Sequence, residues 1–476
     1  MSGTRQTSLE FRISSKVHAK FDALPPNCKP RVHPNGIREW IPLSAVVLVA
    51  NEDTQDEEVT VVSIATGAKC LSMSQLDKCN GLVLHDSHAE ILALRGFNYW
   101  LLKECKVALS KESILDDGKS TSPTASKFLE YCSFRKTSYR LDLPIFQLSS
   151  NISIYMYGTC APCGDASMEL TMAAQEDATP WDRAENRSDC STGTPSLLDG
   201  RGYFSHLGVV RRKPSRADAE PTLSKSCSDK LAMKQVTSAL SAITSVLVKP
   251  TANAYIKGLI LPENEVSDTA CARAFGDGET GRLRQLKDSS WTVGSLECAF
   301  RPFTVFKLPD EQAEALWQYG KPKDRSVKTK IGNVSVSWIA GPSNGEDRKE
   351  TREVIINGVK QGSHISSPNP KKGSVLCRAK MWNTLEEIVN DLSTHCNTSS
   401  AVPYCFAKGT YKELKGGTLT IPSCAARRMA LTAGRTTLSN WVENRGDADW
   451  GLTVLNDNKV AKRAPVACQD QSPKSI

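Results

Sequence analysis

The chain has 476 residues, 39% apolar and 24% charged, the composition of a globular protein with length for roughly two to four domains of usual size. No apolar run approaches the ~20 residues needed to cross a bilayer, and the start MSGTRQTSLEFRISSK lacks the apolar stretch of a secretory signal, so a membrane span is not expected and cytoplasmic or nuclear residence is. Lys and Arg outnumber Asp and Glu by 60 to 52, a net charge of +8 that suits a polyanionic partner without identifying one. In such a compartment the 16 cysteines are expected as reduced thiols, used for metal binding or core packing rather than for a disulfide framework.

Along the chain, VTVVSIAT at 59–66 reads as the first strand, followed by a helix over 88–104 and a polar, aperiodic stretch at 108–126. A strand at 152–157 (ISIYMY) precedes a second aperiodic stretch, 173–200. A helix is then expected over 227–248, where Leu231, Val236, Leu240, Ile243 and Leu247 keep a near 3.6 period. Strands follow at 254–261, 334–340 and 353–359, with a polar loop at 341–350 between the last two and a helix over 380–393. The stretches at 108–126, 173–200 and 341–350, and the tail from 458 to 476, are expected to be flexible insertions on an α/β core. Basic clusters stand at 211–216, 321–330 and 370–380; each by itself is compatible with a solvated face.

Chemistry concentrates in three short segments. HDSHAE at 85–90 admits two readings. Ser87 and Glu90 make the S-x-x-E pattern of a capping box, and His88 and Glu90 make the H-x-E pattern of a hydrolytic metal site, one ligand plus a carboxylate that moves protons. His85 is the rival imidazole. TCAPCGDAS at 159–167 spaces Cys160 and Cys163 as C-x-x-C, which alone suggests that both bind one ion. The zinc-dependent nucleobase deaminases instead follow H-x-E with P-C-x-x-C, which selects Cys163 after Pro162; three positions on stands Ala166, so the second cysteine of that signature is missing. The best candidate for the vacancy is Cys227, in SCSDK. It begins a helix with Ser226 as cap, and a helix N-terminus favours the thiolate a metal requires.

HDSHAE, PCGDAS and SCSDK, in that order with long gaps, resemble the adenosine deaminases acting on RNA, and the resemblance runs over nearly the whole chain. It implies a cytidine-deaminase-like α/β fold, a mixed sheet packed between helices with an added C-terminal α+β lobe. The whole of 1–476 would be a single editase domain, with a zinc-binding half at about 40–265 and the lobe at about 290–457. Zinc would sit on His88, Cys163 and Cys227, with Glu90 as catalytic acid and base. The activity implied is hydrolysis of adenosine to inosine in tRNA, position 37 in the anticodon loop of alanine tRNA in the branch that this chain most resembles.

The resemblance also implies a buried inositol hexakisphosphate, with matching positions at Arg95, Lys230, Arg378, Tyr411, Lys415, Trp441, Glu443 and Asp449. Asp86 and Lys213 match positions that link it to a zinc cysteine. The chain departs from the family pattern at Leu94, Met233 and Asn444 in that shell, and at Ser215 and Ala217 in the loop 211–218. Other activities stay open at this point: editing of double-stranded RNA, cytidine deamination, or a zinc-containing RNA-binding protein without activity. Separate duplex-binding modules, which duplex editors carry, are not expected in the forty or so residues ahead of the zinc-binding half.

Overall fold

The computed structural model describes residues 7–110, 126–132, 143–174, 198–199, 206–213, 220–322, 326–344, 348–395, 409–441 and 443–455. The stretches expected as flexible, 108–126, 173–200, 341–350 and 458–476, lie wholly or in part outside these residues, as do Ser215 and Ala217.

An eight-stranded mixed sheet dominates the described residues. It is built from β1 (Leu43–Ala50), β2 (Glu58–Thr66), β3 (Ile152–Gly158), β4 (Ile256–Pro262), β5 (Thr304–Leu308), β6 (Val334–Ile339), β7 (Thr351–Ile356) and β8 (Val359–Lys360), in the spatial order β5-β4-β3-β1-β2-β6-β7-β8. The β5/β4 and β4/β3 pairs are parallel, and the remaining neighbours are antiparallel. Strands from beyond residue 290 therefore supply both edges of the sheet. The chain before and after that point shares one hydrogen-bonded frame.

The central strand β1, LSAVVLVA, lies outside the expected runs because it is apolar throughout, with no alternation to betray it. Both of its faces are buried. Val46, Leu48 and Ala50 join one core, with Phe97, Trp100, Leu101 and Cys105 of α2 (Ala89–Ser110); Ala45, Val47 and Val49 join a second, with Ile13, Val17 and Phe21 of α1 (Leu9–Asp22). The sheet is thus sandwiched by helices, the cytidine-deaminase-like α/β arrangement.

Two expected elements differ in extent. The helix expected over 227–248 stops early: α3 covers Cys227–Thr237, and Ser238 takes φ +63. Its buried side chain–backbone bonds explain the break, since Asn98 accepts from Ser241 N and Thr244 Oγ1, fixing a turn where the apolar period alone would continue a helix. The run 353–359 is cut by Asn357 and Gly358, both at positive φ, into a hairpin between β7 and β8. Helix α4 (Arg378–His395) matches its expected run closely, while α5 (Tyr411–Gly417) and α6 (Pro422–Leu438) were not among the expected helices.

Candidate active site

Three segments meet at the end of the sheet where β1 begins and β2 and β3 finish. Beyond β2, the Gly67 carbonyl accepts from Ala89 N at 2.9 Å, setting the start of α2. Beyond β3, Thr159 N donates to Leu43 O at 3.0 Å and Leu43 N to Thr159 Oγ1 at 2.9 Å, fixing the exit toward Cys163. Ser226 caps α3 by accepting from Asp229 N at 3.1 Å, and Ser228 N donates to Cys163 O at 3.0 Å. Gly164 makes this approach possible: it holds φ +105, and a Cβ there would stand 2.2 Å from Ser226 Oγ.

The outcome is a compact donor set. His88 Nδ1 lies 3.7 Å from Cys163 Sγ and 3.6 Å from Cys227 Sγ, and all three donor atoms fall within 4.8 Å of one another. Cys160 is not part of this set; burial pushes its thiol up, as for a core cysteine. Glu90 is 8% exposed. Burial, and then the neighbouring Cys163, raise its carboxyl above the usual range, and Glu90 is not one of the three residues whose donor atoms cluster. In place of the reciprocal bond of a capping box, Ser87 N donates to Lys69 O at 2.8 Å, while Asp86 Oδ1 accepts from His88 N at 3.0 Å.

Charge balance at the site rests on Lys213 and Asp86. The Lys213 ammonium donates to Asp86 at 2.9 Å and 3.2 Å and to Cys227 Sγ at 3.3 Å, and Lys230 also donates to Asp86. Burial opposes the Asp86 charge, but Lys213 and Lys230 outweigh it and hold the carboxyl well below its ordinary value. Cys163 is held as a thiolate by the hydrogen bond from the Cys227 thiol, and then by Lys213 and His88. Burial pushes the Cys227 thiol up. Cys70, which nothing in its spacing singled out, donates to Asp86 Oδ1 at 3.3 Å.

A second charged region lies between α3 and the C-terminal helices. Lys415 and Arg378 sit 5.6 Å and 6.0 Å from the Tyr411 ring; Lys225 and Arg435 sit 5.7 Å and 5.9 Å from the Trp441 ring; Arg435 pairs with Glu443. Arg95 donates through Nε to Leu376 O at 2.9 Å, and burial together with Arg378 brings it down to about 10. Lys230 of the expected set points to Asp86, and Asp449 is exposed, 3.9 Å from Lys412. Sequence reasoning missed Lys225, Lys234, Arg427 and Arg435. Burial and then Lys230 hold Lys225 down to about 7, burial and Arg427 lower Lys234, and the Nε atoms of Arg427 and Arg435 are buried without a hydrogen-bond partner. The available signal was the trio Arg427, Arg428 and Arg435 on a helix otherwise rich in small apolar residues.

Hydrolytic deaminases of nucleobases are built in this way, with a carboxyl held close to a mixed imidazole and thiol set. The chain belongs to the adenosine-deaminase (editase) domain family, whose family model matches residues 63–445. It is 32% identical over 447 residues to tRNA-specific adenosine deaminase 1 of Schizosaccharomyces pombe, covering 93% of this chain and 97% of that one. It is 30% identical over 390 residues to tRNA-specific adenosine deaminase 1 of Saccharomyces cerevisiae, covering 80% and 84%. Double-stranded RNA-specific editase B2 of Mus musculus matches at 27% over 311 residues, 62% of this chain but 35% of the editase.

Lys213→Met should leave Cys227 without its cation and Asp86 with Lys230 alone. A loss of about 3 kcal/mol is expected, the low end of the usual penalty for a half-broken buried pair because Lys230 remains. The midpoint of chemical unfolding measures it.

Proposed function

We propose that this protein converts adenosine to inosine in tRNA, at position 37 of the anticodon loop of alanine tRNA, using a single zinc ion held by His88, Cys163 and Cys227. The observation that carries the reading is Glu90: a buried carboxyl with a raised pKa, beside three donors and not among them. The donor set fits the ion. Zinc bonds of usual length at tetrahedral angles place nitrogen and sulfur ligands about 3.6 Å apart, and the two observed separations are 3.6 Å and 3.7 Å. A structural site would close its fourth position with a protein ligand; among the described residues this set has three donors, and the Glu90 carboxyl is near enough to feel Cys163.

When bound, zinc supplies a lowered pKa to the attacking water. Glu90 takes a proton from that water, delivers it to N1 of adenine as oxygen reaches C6, and passes the next one to the departing amine, so that ammonia leaves and inosine remains. Lys213 and Asp86 hold the Cys227 sulfur and the His88 backbone in place during these transfers. An anticodon loop suits such a site because its bases are already unpaired, which lowers the cost of extracting one. The names of the full-length yeast relatives support tRNA as the substrate class.

The face that would receive RNA adjoins the site. A short parallel ladder pairs Arg38–Trp40 with Thr329–Ile331, and its strands run directly into β1 and β6, whose first residues touch Thr159 and Ser87. Arg31, Lys321, Lys328 and Lys330 are exposed on this projection, so the described basic residues of the 321–330 cluster stand beside that end of the sheet. The cations between α3, α5 and α6 would in turn receive inositol hexakisphosphate. Depressed Lys225, Lys234 and Lys415 and the orphaned Arg427 and Arg435 nitrogens fit a buried polyphosphate, whose charge would reverse each of those shifts. On this reading the zinc half, about 40–265, and the lobe, about 290–457, form one domain joined by that ligand.

Glu90→Gln should retain a full complement of zinc by elemental analysis and bind tRNA normally, yet form no inosine. An active variant would refute the role. Purified wild-type protein should carry one zinc and bound inositol phosphate, released on denaturation and identified by ion-exchange chromatography. In parallel, incubation with alanine tRNA, a long duplex and free nucleosides should give inosine only in the tRNA. Lys328→Glu with Lys330→Glu should raise KM for tRNA about tenfold with kcat unchanged. The slope of log affinity against log salt should also flatten by roughly 0.7–0.9 for each phosphate that these two lysines would neutralise.

A further inference from the structure

The loop that carries Asp86 and His88 is gripped from the far end of the chain by Asp447, whose side chain is 1% exposed. Its Oδ1 accepts from Gly81 N at 2.8 Å, and its Oδ2 accepts from His85 Nε2 at 2.8 Å and from Arg378 Nη1 at 2.9 Å. Arg378 Nη2 donates to His85 Nδ1 at 3.3 Å, so that nitrogen is the acceptor and the proton of a neutral imidazole sits on Nε2, facing Asp447. Burial, offset in part by the Asp447 bond, agrees by lowering the His85 pKa. Gly81 holds φ +70, and a Cβ on it would stand 2.4 Å from the Trp450 ring, so loop and C-terminal segment touch at backbone distance.

Cys79, His85 and Asp447 also bring their donor atoms within 4.8 Å of one another, a spacing open to a metal ion. The chemistry argues otherwise. Arg378 already donates to the other two side chains, and the Cys79 thiol donates to Gln75 O at 3.3 Å and is pushed up to about 12 by burial and by Asp447. The group is a hydrogen-bonded lock rather than an ion site.

We propose that Asp447 is a positioning residue for the deamination, acting through His85 to set the path of residues 85–88 and so the direction in which Asp86 and the His88 imidazole meet the donor set. The chain of contacts is short. The His85 carbonyl accepts from Leu71 N at 2.9 Å, the adjoining Asp86 bridges to Cys70 and takes Lys213, and Asp86 then caps His88 N. Removing the Asp447 charge leaves Arg378 only the Asp447 carbonyl and His85 as neutral acceptors and frees the His85 ring to turn or change tautomer, and the loop loses its anchor three residues from a donor. This inference rests on the reading of His88, Cys163, Cys227 and Glu90 given above.

The test compares Asp447→Asn, His85→Asn and the double variant with wild type. Each is assayed for turnover of alanine tRNA, for zinc loss to a chelator well below the unfolding temperature, and for the thiolate-to-metal absorption of the cobalt-substituted protein. Both single variants are expected to lose about tenfold in kcat with KM nearly unchanged, to release zinc about tenfold faster and to shift the cobalt bands. The double variant should be no worse than the more damaged single one, because the two residues act as a unit. Variants that only melt earlier, with kcat, zinc release and cobalt bands as in wild type, would overturn the proposal, as would fully additive losses. If Asp447→Asn does not fold, His85→Asn alone decides by the same three readouts. Wild-type protein that neither binds metal nor forms inosine would sink the site assignment itself, and the lock with it.

Discussion

The buried triangle of Lys213, Asp86 and Cys227 is the constraint on which the catalytic end of the sheet depends. Two sulfurs, an imidazole and the Glu90 carboxyl share one enclosed space, where charge is far more costly than in water and like charges repel strongly. A single ammonium, itself nearly out of solvent, answers a carboxylate on one side and a thiol on the other. It ties α3 to the loop ahead of α2. Asp86 accepts from Lys213, from Lys230, from Cys70 and from the backbone of His88, so the charge pair and the donor geometry cannot be altered separately.

That triangle is held from outside by the C-terminal part of the chain. Strands β5 to β8 close both edges of the sheet, and α4, α5 and α6 bring their cations against α2 and α3. Arg378 belongs to both arrangements: it faces the Tyr411 ring together with Lys415, and it completes the bond set of Asp447 and His85. The basic region and the loop that carries His88 are therefore joined through one guanidinium. Residues hundreds of positions away in sequence thus reach His85, on the loop that carries His88.

Some of this was legible in the chain and some was not. H-x-E at 88–90, the cysteine after Pro162 and a cysteine at the cap of a helix were readable because each carries a local rule, a ligand type or a capping preference that survives without the fold. The strands at 58–66 and 152–158 were readable from β-branched and aromatic composition, whereas β1 was not, since a strand buried on both faces loses its alternation. Helix α3 was read too long because the apolar period persists past Thr237, while the competing bonds to Asn98 come from another helix.

By itself the sequence nominated the side chains that could do chemistry: one imidazole, two thiols and a carboxyl, with the cysteine after Pro162 preferred over Cys160 and Cys227 as the candidate for the remaining position. Only the tertiary structure decided which charges stand together. Asp447 and Asp449 are two residues apart and chemically identical, yet one is locked on His85 and Arg378 while the other faces solvent. Lys225 and Arg427 read as ordinary surface cations until the packing of α3 on α6 removes their water. The physical reason is the same in each case: ligand identity is a property of a residue, whereas desolvation and pairing are properties of neighbours hundreds of positions away.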